Sequence, residues 1–172
     1  MKTFSPLCVL LLTVFLAGCA AMPLRGDYVK EQTAPVIVPD AQSAVIYFVR
    51  ESAFTGGGIS YFVCEDTVRI GLLKSGTYFI YKTTPGKHTY HAETEARAAV
   101  TLDVEAGKTY YVEGGISIGM WAGQPRLAEV TEPVARQLIP DLDYVRLATD
   151  EEREAYRAKE EQGKSSSGIK MN

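Results

Sequence analysis

The sequence is poor in the side chains that most often bind metals or act as catalytic bases. Its 172 residues include only two histidines and three cysteines. The histidines, His88 and His91, lie three residues apart in a stretch that predicts a β-strand, so their side chains would point to opposite faces. A metal ion shared by both is therefore not expected, and no third ligand is evident. We predict no metal site and no cofactor, with His88 bonding a backbone carbonyl beside a turn and His91 at the surface.

Positive charge is scarce as well. The chain has 18 lysines and arginines against 21 aspartates and glutamates, a net charge of -3. Without a surplus of basic residues a protein cannot neutralise a run of phosphates, so nucleic acid is not an expected partner. The length suits one domain with a substantial core rather than two.

Long apolar runs are missing, apart from a short one near the N-terminus. Residues 7–16 are almost entirely apolar and follow the positively charged Lys2. This run fits the apolar region of a signal peptide, and it is well short of the roughly twenty residues that a membrane-spanning helix requires. The pattern predicts a cleavable signal peptide over residues 1–18.

Residues 16–19 read Leu-Ala-Gly-Cys and end this segment. The tetrapeptide resembles the bacterial lipobox, in which the cysteine thiol, a strong nucleophile, receives a diacylglycerol. The resemblance implies cleavage before Cys19 and acylation of its new amino group, for example with palmitate, which would give a lipid-anchored envelope protein. Ala20 after the cysteine implies the outer membrane, facing the periplasm, if the host has two membranes. The alternatives are an ordinary secretory signal with a coincidental cysteine, and a spanning helix.

The three cysteines leave little scope for disulfide bonds. Cys8 is lost with the signal peptide and Cys19 carries the lipid under this interpretation. We therefore expect no disulfide within the chain, and a fold stabilised by packing. Cys64 is predicted to be a small buried residue on a strand, with a reactive thiol as the alternative.

Composition divides the rest of the chain into four parts. Residues 19–42 contain prolines and no sustained period, which predicts an acylated N-terminus and a tether. Residues 43–131 carry short β-branched and aromatic runs between turn signals, which predicts a mainly β fold, a small antiparallel β-sandwich. The apolar run at 44–50 predicts a strand buried on both faces or a central strand. Residues 132–162 predict a short helical extension, and residues 163–172 a disordered tail.

Three stretches of the β region resemble a known family. They are residues 44–50 (AVIYFVR), 84–88 (TPGKH) and 106–112 (AGKTYYV). Together with the lipobox they resemble the DUF2846 family of bacterial lipoproteins, a domain of unknown function, over residues 41–131. The second and third stretches are also similar to PEGA and carboxypeptidase-regulatory-like domains, which implies a transthyretin-like sandwich. The resemblance implies no catalytic residues.

One motif bears on catalysis. Residues 115–119 read Gly-Ile-Ser-Ile-Gly, which matches the letters of the G-x-S-x-G nucleophile elbow. That elbow needs a strand–turn–helix context, whereas strand-like residues flank Ser117, so a strand weakened by glycines is the simpler interpretation. We expect no enzyme. The alternative is a weak serine-type hydrolase in which Ser117 lies within hydrogen-bond reach of His88 or His91.

Aromatic residues indicate a contact surface. Many of the ten tyrosines fall on predicted strands, where some can line one sheet face as a patch with hydroxyl groups. We predict Tyr61, Tyr81 and Trp121 as contacts with a ligand or partner, with Trp121 in an exposed loop. Aromatic cross-strand pairs and a core position for Trp121 are the alternatives.

The sequence therefore predicts a non-catalytic binding or accessory module held at the membrane by Cys19. Its partner would be an envelope protein or a cell-envelope polymer such as a saccharide. A protein partner predicts an unusually large exposed apolar patch, whereas a saccharide predicts an aromatic shelf with polar rims.

Overall fold

The computed structural model describes residues 23–118 and 123–168, and within these ranges the chain is mainly β. The predicted signal peptide, Cys19 and Trp121 lie outside the described residues. Ten strands lie in the described ranges, and they form two sheets. The strands are β1 (Tyr28–Lys30), β2 (Ala44–Arg50), β3 (Tyr61–Glu65), β4 (Val68–Leu73), β5 (Thr77–Thr83), β6 (Gly86–Glu93), β7 (Arg97–Val104), β8 (Thr109–Ile118), β9 (Gly123–Val130) and β10 (Asp143–Leu147).

The larger sheet has six strands in the order β1-β10-β5-β2-β8-β9, and the smaller has four in the order β4-β3-β6-β7. The prediction of a mainly β fold is confirmed. All neighbours in the smaller sheet are antiparallel, as expected, but the larger sheet is mixed. There β2 runs parallel to β8, and β10 runs parallel to β5. Side chains alternate between faces with a period of two in both kinds of pairing, so the sequence pattern does not reveal which pairs are parallel.

The core lies between the two sheets and is centred on β2. Ile46 and Phe48 of β2 point into it and are fully buried. The ring of Phe48 stacks on Phe79 of β5 at 4.7 Å between centroids and meets the edge of Tyr90 from the smaller sheet at 5.3 Å. The prediction of a buried central strand at residues 44–50 is therefore confirmed, since β2 has two neighbours in the sheet and a covered face on each side.

The segment predicted as a tether contributes a strand. β1 pairs antiparallel with β10, so the chain joins the larger sheet from Tyr28 onward. Tyr28 and Leu147 pack against Phe62, Cys64 and Leu72, which face away from the main core. The two short strands thus cover the outer side of β3 and β4.

The C-terminal part contains α1 (Glu132–Leu138), a 3₁₀ turn (Ile139–Asp141) and α2 (Asp150–Gly168), with β10 between the turn and α2. The N-terminus of α2 carries a capping box, because the Glu152 amide donates to the Thr149 hydroxyl at 3.2 Å and the Thr149 amide donates to the Glu152 carboxylate at 2.8 Å. The helix continues beyond its predicted end at residue 162. Within the described ranges, no helix combines the length and the apolar composition that crossing a bilayer demands.

A buried arginine organises the loop after β2. Arg50 is 2 % exposed, and its guanidinium donates to the carbonyls of Ile59 at 2.8 Å, Gly56 at 2.9 Å and Leu73 at 3.4 Å. It also lies over the ring of Tyr61, 5.2 Å from the centroid. Burial lowers the pKa of Arg50, although a guanidinium stays charged at any physiological pH. Two of these carbonyls lie in the 51–59 loop and the third lies at the end of β4, so Arg50 ties that loop to β4.

Cys64 is fully buried on β3, as predicted. It is nevertheless disulfide-bonded in this structure. The expectation that the chain contains no disulfide is therefore wrong for this structure. That expectation came from the predicted fate of the other two cysteines rather than from the surroundings of Cys64.

Candidate functional site

Four tyrosines form a row across the outer face of the larger sheet, on four consecutive strands. Neighbouring ring centroids are 5.4, 6.5 and 5.5 Å apart along the row. These distances lie in the range of roughly 4.5–7 Å at which aromatic rings attract each other. We call this set the tyrosine row, and its members in order are Tyr111 on β8, Tyr47 on β2, Tyr78 on β5 and Tyr144 on β10.

Strand register explains the row. Tyr47 lies directly opposite Tyr111 in the parallel β2–β8 pair, and Tyr78 lies opposite Tyr144 in the parallel β10–β5 pair. Across the antiparallel pair Tyr47 is opposite Ile80, which shares a strand face with Tyr78. Because the neighbours of these residues along β2 and β5 point into the core, all four rings project away from it.

Two further segments border the tyrosine row and form a groove with it. The groove has a volume of about 370 Å³, near the lower end of the range of roughly 300–1,000 Å³ that is usual for ligand pockets. One border is the extended segment of residues 34–36, and the other is the region where α1 passes into the 3₁₀ turn. The lining side chains are Ala34, Pro35, Val36, Tyr47, Tyr78, Ile80, Tyr111, Arg136, Ile139 and Pro140.

The groove has a buried floor and a mostly apolar rim. Tyr78 is 9 % exposed and Tyr111 is 6 % exposed, while Tyr47 between them is half-buried. Burial is the main cause that raises the pKa of Tyr78 and of Tyr111, so both hydroxyls remain protonated hydrogen-bond donors. At the rim, Val36 is 92 % exposed.

One charged side chain lines the groove. The Arg136 guanidinium pairs with the Glu132 carboxylate at 2.5 Å, one helical turn earlier on α1. The groove therefore combines apolar walls, stacked rings, phenol donors and a single paired charge. This composition can hold a short run of apolar or aromatic side chains, and its lining contains no nucleophile with a neighbouring base.

Two of the three predicted contact residues lie away from the groove. Tyr61 is fully buried in the core, where its hydroxyl donates to the Gly115 carbonyl at 3.3 Å, so the prediction that it contacts a partner is wrong. Tyr81 also points inward and is half-buried, with its hydroxyl donating to Glu65 at 3.0 Å. Trp121 lies outside the described residues.

Ser117 and the histidines lie in different sheets. The Ser117 hydroxyl donates to the Gln124 carbonyl across the β8–β9 pair at 3.4 Å. In the part of the chain that the structure describes, no hydrogen bond joins Ser117 to His88 or His91. The geometry that the hydrolase alternative requires is therefore not found there.

His88 belongs to a partly buried polar cluster at the end of the smaller sheet. Its Nδ1 is hydrogen-bonded to the Glu65 carboxylate, and its Nε2 lies 2.9 Å from the Thr84 carbonyl. The prediction that His88 bonds a backbone carbonyl beside a turn is therefore confirmed. Burial and the hydrogen bond to Glu65 raise the pKa of Tyr81, on the same carboxylate, to about 12. Among residues 23–118 and 123–168, no three His, Cys, Asp or Glu side chains are grouped as metal ligands would be.

His91 is not at the surface. It is 4 % exposed and pairs with Cys64 and Ala99 on the two neighbouring strands. Burial, followed by the nearby Arg97, lowers the pKa of His91, which favours the neutral ring. The surface prediction is wrong because His91 shares a sheet face with its cross-strand partner Cys64, which is fully buried.

Comparison with protein families gives one match. The family model of DUF2846, described as a protein of unknown function, matches residues 40–124. Comparisons with curated proteins and with solved structures give no match. The matched stretch contains three residues of the tyrosine row, Tyr47, Tyr78 and Tyr111, whereas residues 34–36 and 136–140 lie outside it.

Proposed function

The chain belongs to the DUF2846 family of proteins of unknown function, and we propose that it is an acylated envelope lipoprotein whose sandwich is a non-catalytic binding module. In this proposal Cys19 carries the lipid, and the tyrosine groove binds a segment of a protein partner. The chain would thereby hold that partner close to the membrane, in the periplasm at the outer membrane if the host has two membranes. The observation that carries the binding proposal is the groove formed by the tyrosine row, residues 34–36 and the α1–3₁₀ region.

Support for the anchor comes from the sequence. A short apolar run ends in Leu-Ala-Gly-Cys at residues 16–19, followed by the described domain from residue 23 onward. Two or more acyl chains give firm anchoring, because each buried CH₂ group contributes about 0.8 kcal/mol and one chain alone holds only marginally. The anchor therefore accounts for membrane attachment without a spanning helix.

The chemistry of the rim favours a protein segment over a saccharide. Saccharide sites combine aromatic faces with polar groups at the edge that bond the sugar hydroxyls. Here the rim is mostly apolar, with Ala34, Pro35, Val36, Ile139 and Pro140, and its one charged side chain, Arg136, is already paired with Glu132. A peptide can place apolar side chains between these walls and accept hydrogen bonds from the tyrosine hydroxyls.

Cys64 offers a check on the anchor. Cleavage would remove Cys8, and acylation would use the sulfur of Cys19. The intact mass of the purified mature chain should therefore correspond to a chain that begins at Cys19 and carries a diacylglyceryl group and an acyl chain. A mature chain in which Cys19 forms a disulfide with Cys64 would contradict the proposed anchor.

The binding proposal can be tested by photo-crosslinking in cells. A photoreactive amino acid replaces Val36 at the groove rim, and a matched variant carries it at Val68, an exposed valine on β4 in the smaller sheet. We expect crosslinks to one recurring protein from position 36 and not from position 68. Cys19→Ala, which leaves the chain unacylated, should abolish them.

The outcomes separate the parts of the proposal. Crosslinks of equal yield from both positions, or none from position 36, would contradict the groove as the contact site. Adducts to a polymer and to no protein would replace the protein partner with a cell-envelope polymer. Crosslinks that persist in Cys19→Ala would show that binding does not depend on the anchor.

A further inference from the structure

The N-terminal end of the described chain meets α2 at a corner rich in arginine. A cavity of about 380 Å³ lies between residues 24–27 and α2, with Arg25, Arg153 and Arg157 in its lining. A second cavity of about 330 Å³ shares Arg153 and Arg157 and adds Arg69 from β4. We call these four residues the arginine corner.

The two acidic side chains that line the first cavity, Asp27 and Glu160, already have partners other than its arginines. The Asp27 carboxylate accepts a hydrogen bond from the backbone amide of Leu24 at 2.7 Å, and Glu160 forms an ion pair with Lys164 at 3.1 Å. Arg153 donates to the Ala148 carbonyl at 2.6 Å and also to Asp150. Glu154 and Glu161 lie three and four residues from Arg157 on α2, but within the described ranges neither is within ion-pair distance of it.

Two of the four guanidiniums remain without an acidic partner. Arg25 and Arg157 are exposed, and among the described residues neither is within ion-pair distance of a carboxylate. Positive charge at the corner therefore exceeds the negative charge that neighbouring residues supply. The net charge of the whole chain is -3, so the corner stands apart from its surroundings.

The apolar residues at the corner suit a bilayer surface. Leu24 is 66 % exposed, and Tyr156 of α2, also exposed, lines the same cavity. Tyrosine and arginine combine an apolar body with a polar end, and both occur at the boundary between acyl chains and headgroups. An exposed leucine beside them adds surface that can enter that boundary.

Chain length places the corner near the membrane. Five peptide units separate Cys19 from Leu24. At about 3.6 Å each they span at most roughly 18 Å when fully extended, about two Debye lengths at physiological salt. An acyl anchor at Cys19 would therefore hold the corner close to the phosphate layer.

We propose that the arginine corner binds the phosphates of anionic phospholipid headgroups in the membrane that holds the acylated Cys19. The inference rests on the proposed acylation. The domain would then have a fixed orientation, with β1 and α2 toward the bilayer, rather than turning freely on a tether. Each basic residue near an anionic surface strengthens membrane binding by roughly fivefold, and salt screens this attraction.

Hydrogen exchange in vesicles tests the orientation. The purified acylated protein is reconstituted in vesicles of phosphatidylcholine alone, or of phosphatidylcholine with phosphatidylglycerol. We expect amide exchange in residues 24–28 and 153–160 to be several-fold slower with phosphatidylglycerol, and this slowing to disappear at high salt. The variant Arg25→Gln/Arg157→Gln should lose the slowing, while Arg97→Gln, a matched exposed arginine on β7, should keep it.

Each contrary result has its own meaning. Equal exchange in the two kinds of vesicle, or unchanged slowing in the double variant, would overturn the headgroup site while leaving the anchor intact. The same slowing from inorganic phosphate with phosphatidylcholine vesicles would assign the site to a free anion and overturn the lipid proposal. Protein that separates from both kinds of vesicle would overturn the acylation, and this inference with it.

Discussion

Replacing Arg50 tests whether a buried charge bonded to carbonyls holds the 51–59 loop. Arg50→Met removes three hydrogen bonds, to the carbonyls of Ile59, Gly56 and Leu73. Hydrogen bonds to a charged group are worth about 1.5–3 kcal/mol each, and a buried carbonyl left without a donor costs about 1–3 kcal/mol. The gain from no longer burying a charge opposes this loss and can reach several kcal/mol.

These opposing contributions leave a substantial net effect. The Leu73 carbonyl belongs to a fully buried residue, whereas the loop carbonyls of Gly56 and Ile59 can regain water. We expect Arg50→Met to lower the free energy of unfolding by about 2–4 kcal/mol. For a chain of this size that lowers Tm by roughly 4–16 °C. Arg50→Lys should recover less than half of the loss, because one ammonium group cannot reach all three carbonyls as a fork does.

Urea unfolding followed by circular dichroism measures the effect. The matched control is Arg97→Met, since Arg97 is an exposed arginine paired with Glu93 at 3.3 Å. That control should change the free energy of unfolding by less than about 0.5 kcal/mol. A loss below about 1 kcal/mol in Arg50→Met would refute the reasoning, because the carbonyls would then be satisfied without the guanidinium.

Three further predictions concern packing and charge. Gly71→Ala should lower the free energy of unfolding by about 1–3 kcal/mol in the same urea assay, because its Cβ would lie 2.3 Å from the Phe79 ring; an unchanged urea midpoint would contradict this. Tyr90→Phe should leave stability unchanged or raise it by about 1 kcal/mol, since the buried Tyr90 hydroxyl has no hydrogen bond of normal geometry within the described ranges. A clear loss on thermal unfolding would show that this hydroxyl has a partner. The Arg146 hydrogen bond is the main cause that lowers the pKa of Glu152 from 4.5 to about 2, so Glu152 contributes stability above pH 4.5 that is lost as the pH falls toward 2. Glu152→Gln should therefore lower the urea midpoint at neutral pH, with a deficit that shrinks below pH 4.5; a deficit independent of pH would argue against the ion pair.

Sequence reasoning could reach the class of the fold, because alternating apolar residues and turn signals act locally. It could not reach β1 and β10, whose three and five residues are too short to show a period. In the folded chain, Tyr28 and Leu147 of these strands cover apolar side chains of the smaller sheet. That contact exists only in the folded chain. The residues of segment 19–42, considered alone, therefore predict a tether over its whole length.

The tyrosine row shows the same limit at the candidate site. The pattern correctly indicates that tyrosines on strands can line one sheet face, but it does not indicate which tyrosines share that face. Tyr47 and Tyr111 are 64 positions apart, and they meet only because β2 and β8 run parallel in the register that pairs them. Tyr61 looks equivalent in sequence, yet it points between the sheets. Strand order and register, which no local pattern contains, decide which of these residues can contact a partner.

The groove also depends on parts of the chain beyond the family match. Its tyrosine floor lies within residues 40–124, while its borders come from residues 34–36 and from Arg136, Ile139 and Pro140. A sandwich without these borders would present the tyrosines as an open aromatic surface, which favours broad and weak contacts. With the borders, the same rings become the floor of a narrow groove that can select the shape of a bound segment. We therefore expect specificity for the partner to depend on residues 34–36 and 136–140, and the capacity to bind aromatic or apolar side chains to depend on the tyrosine row.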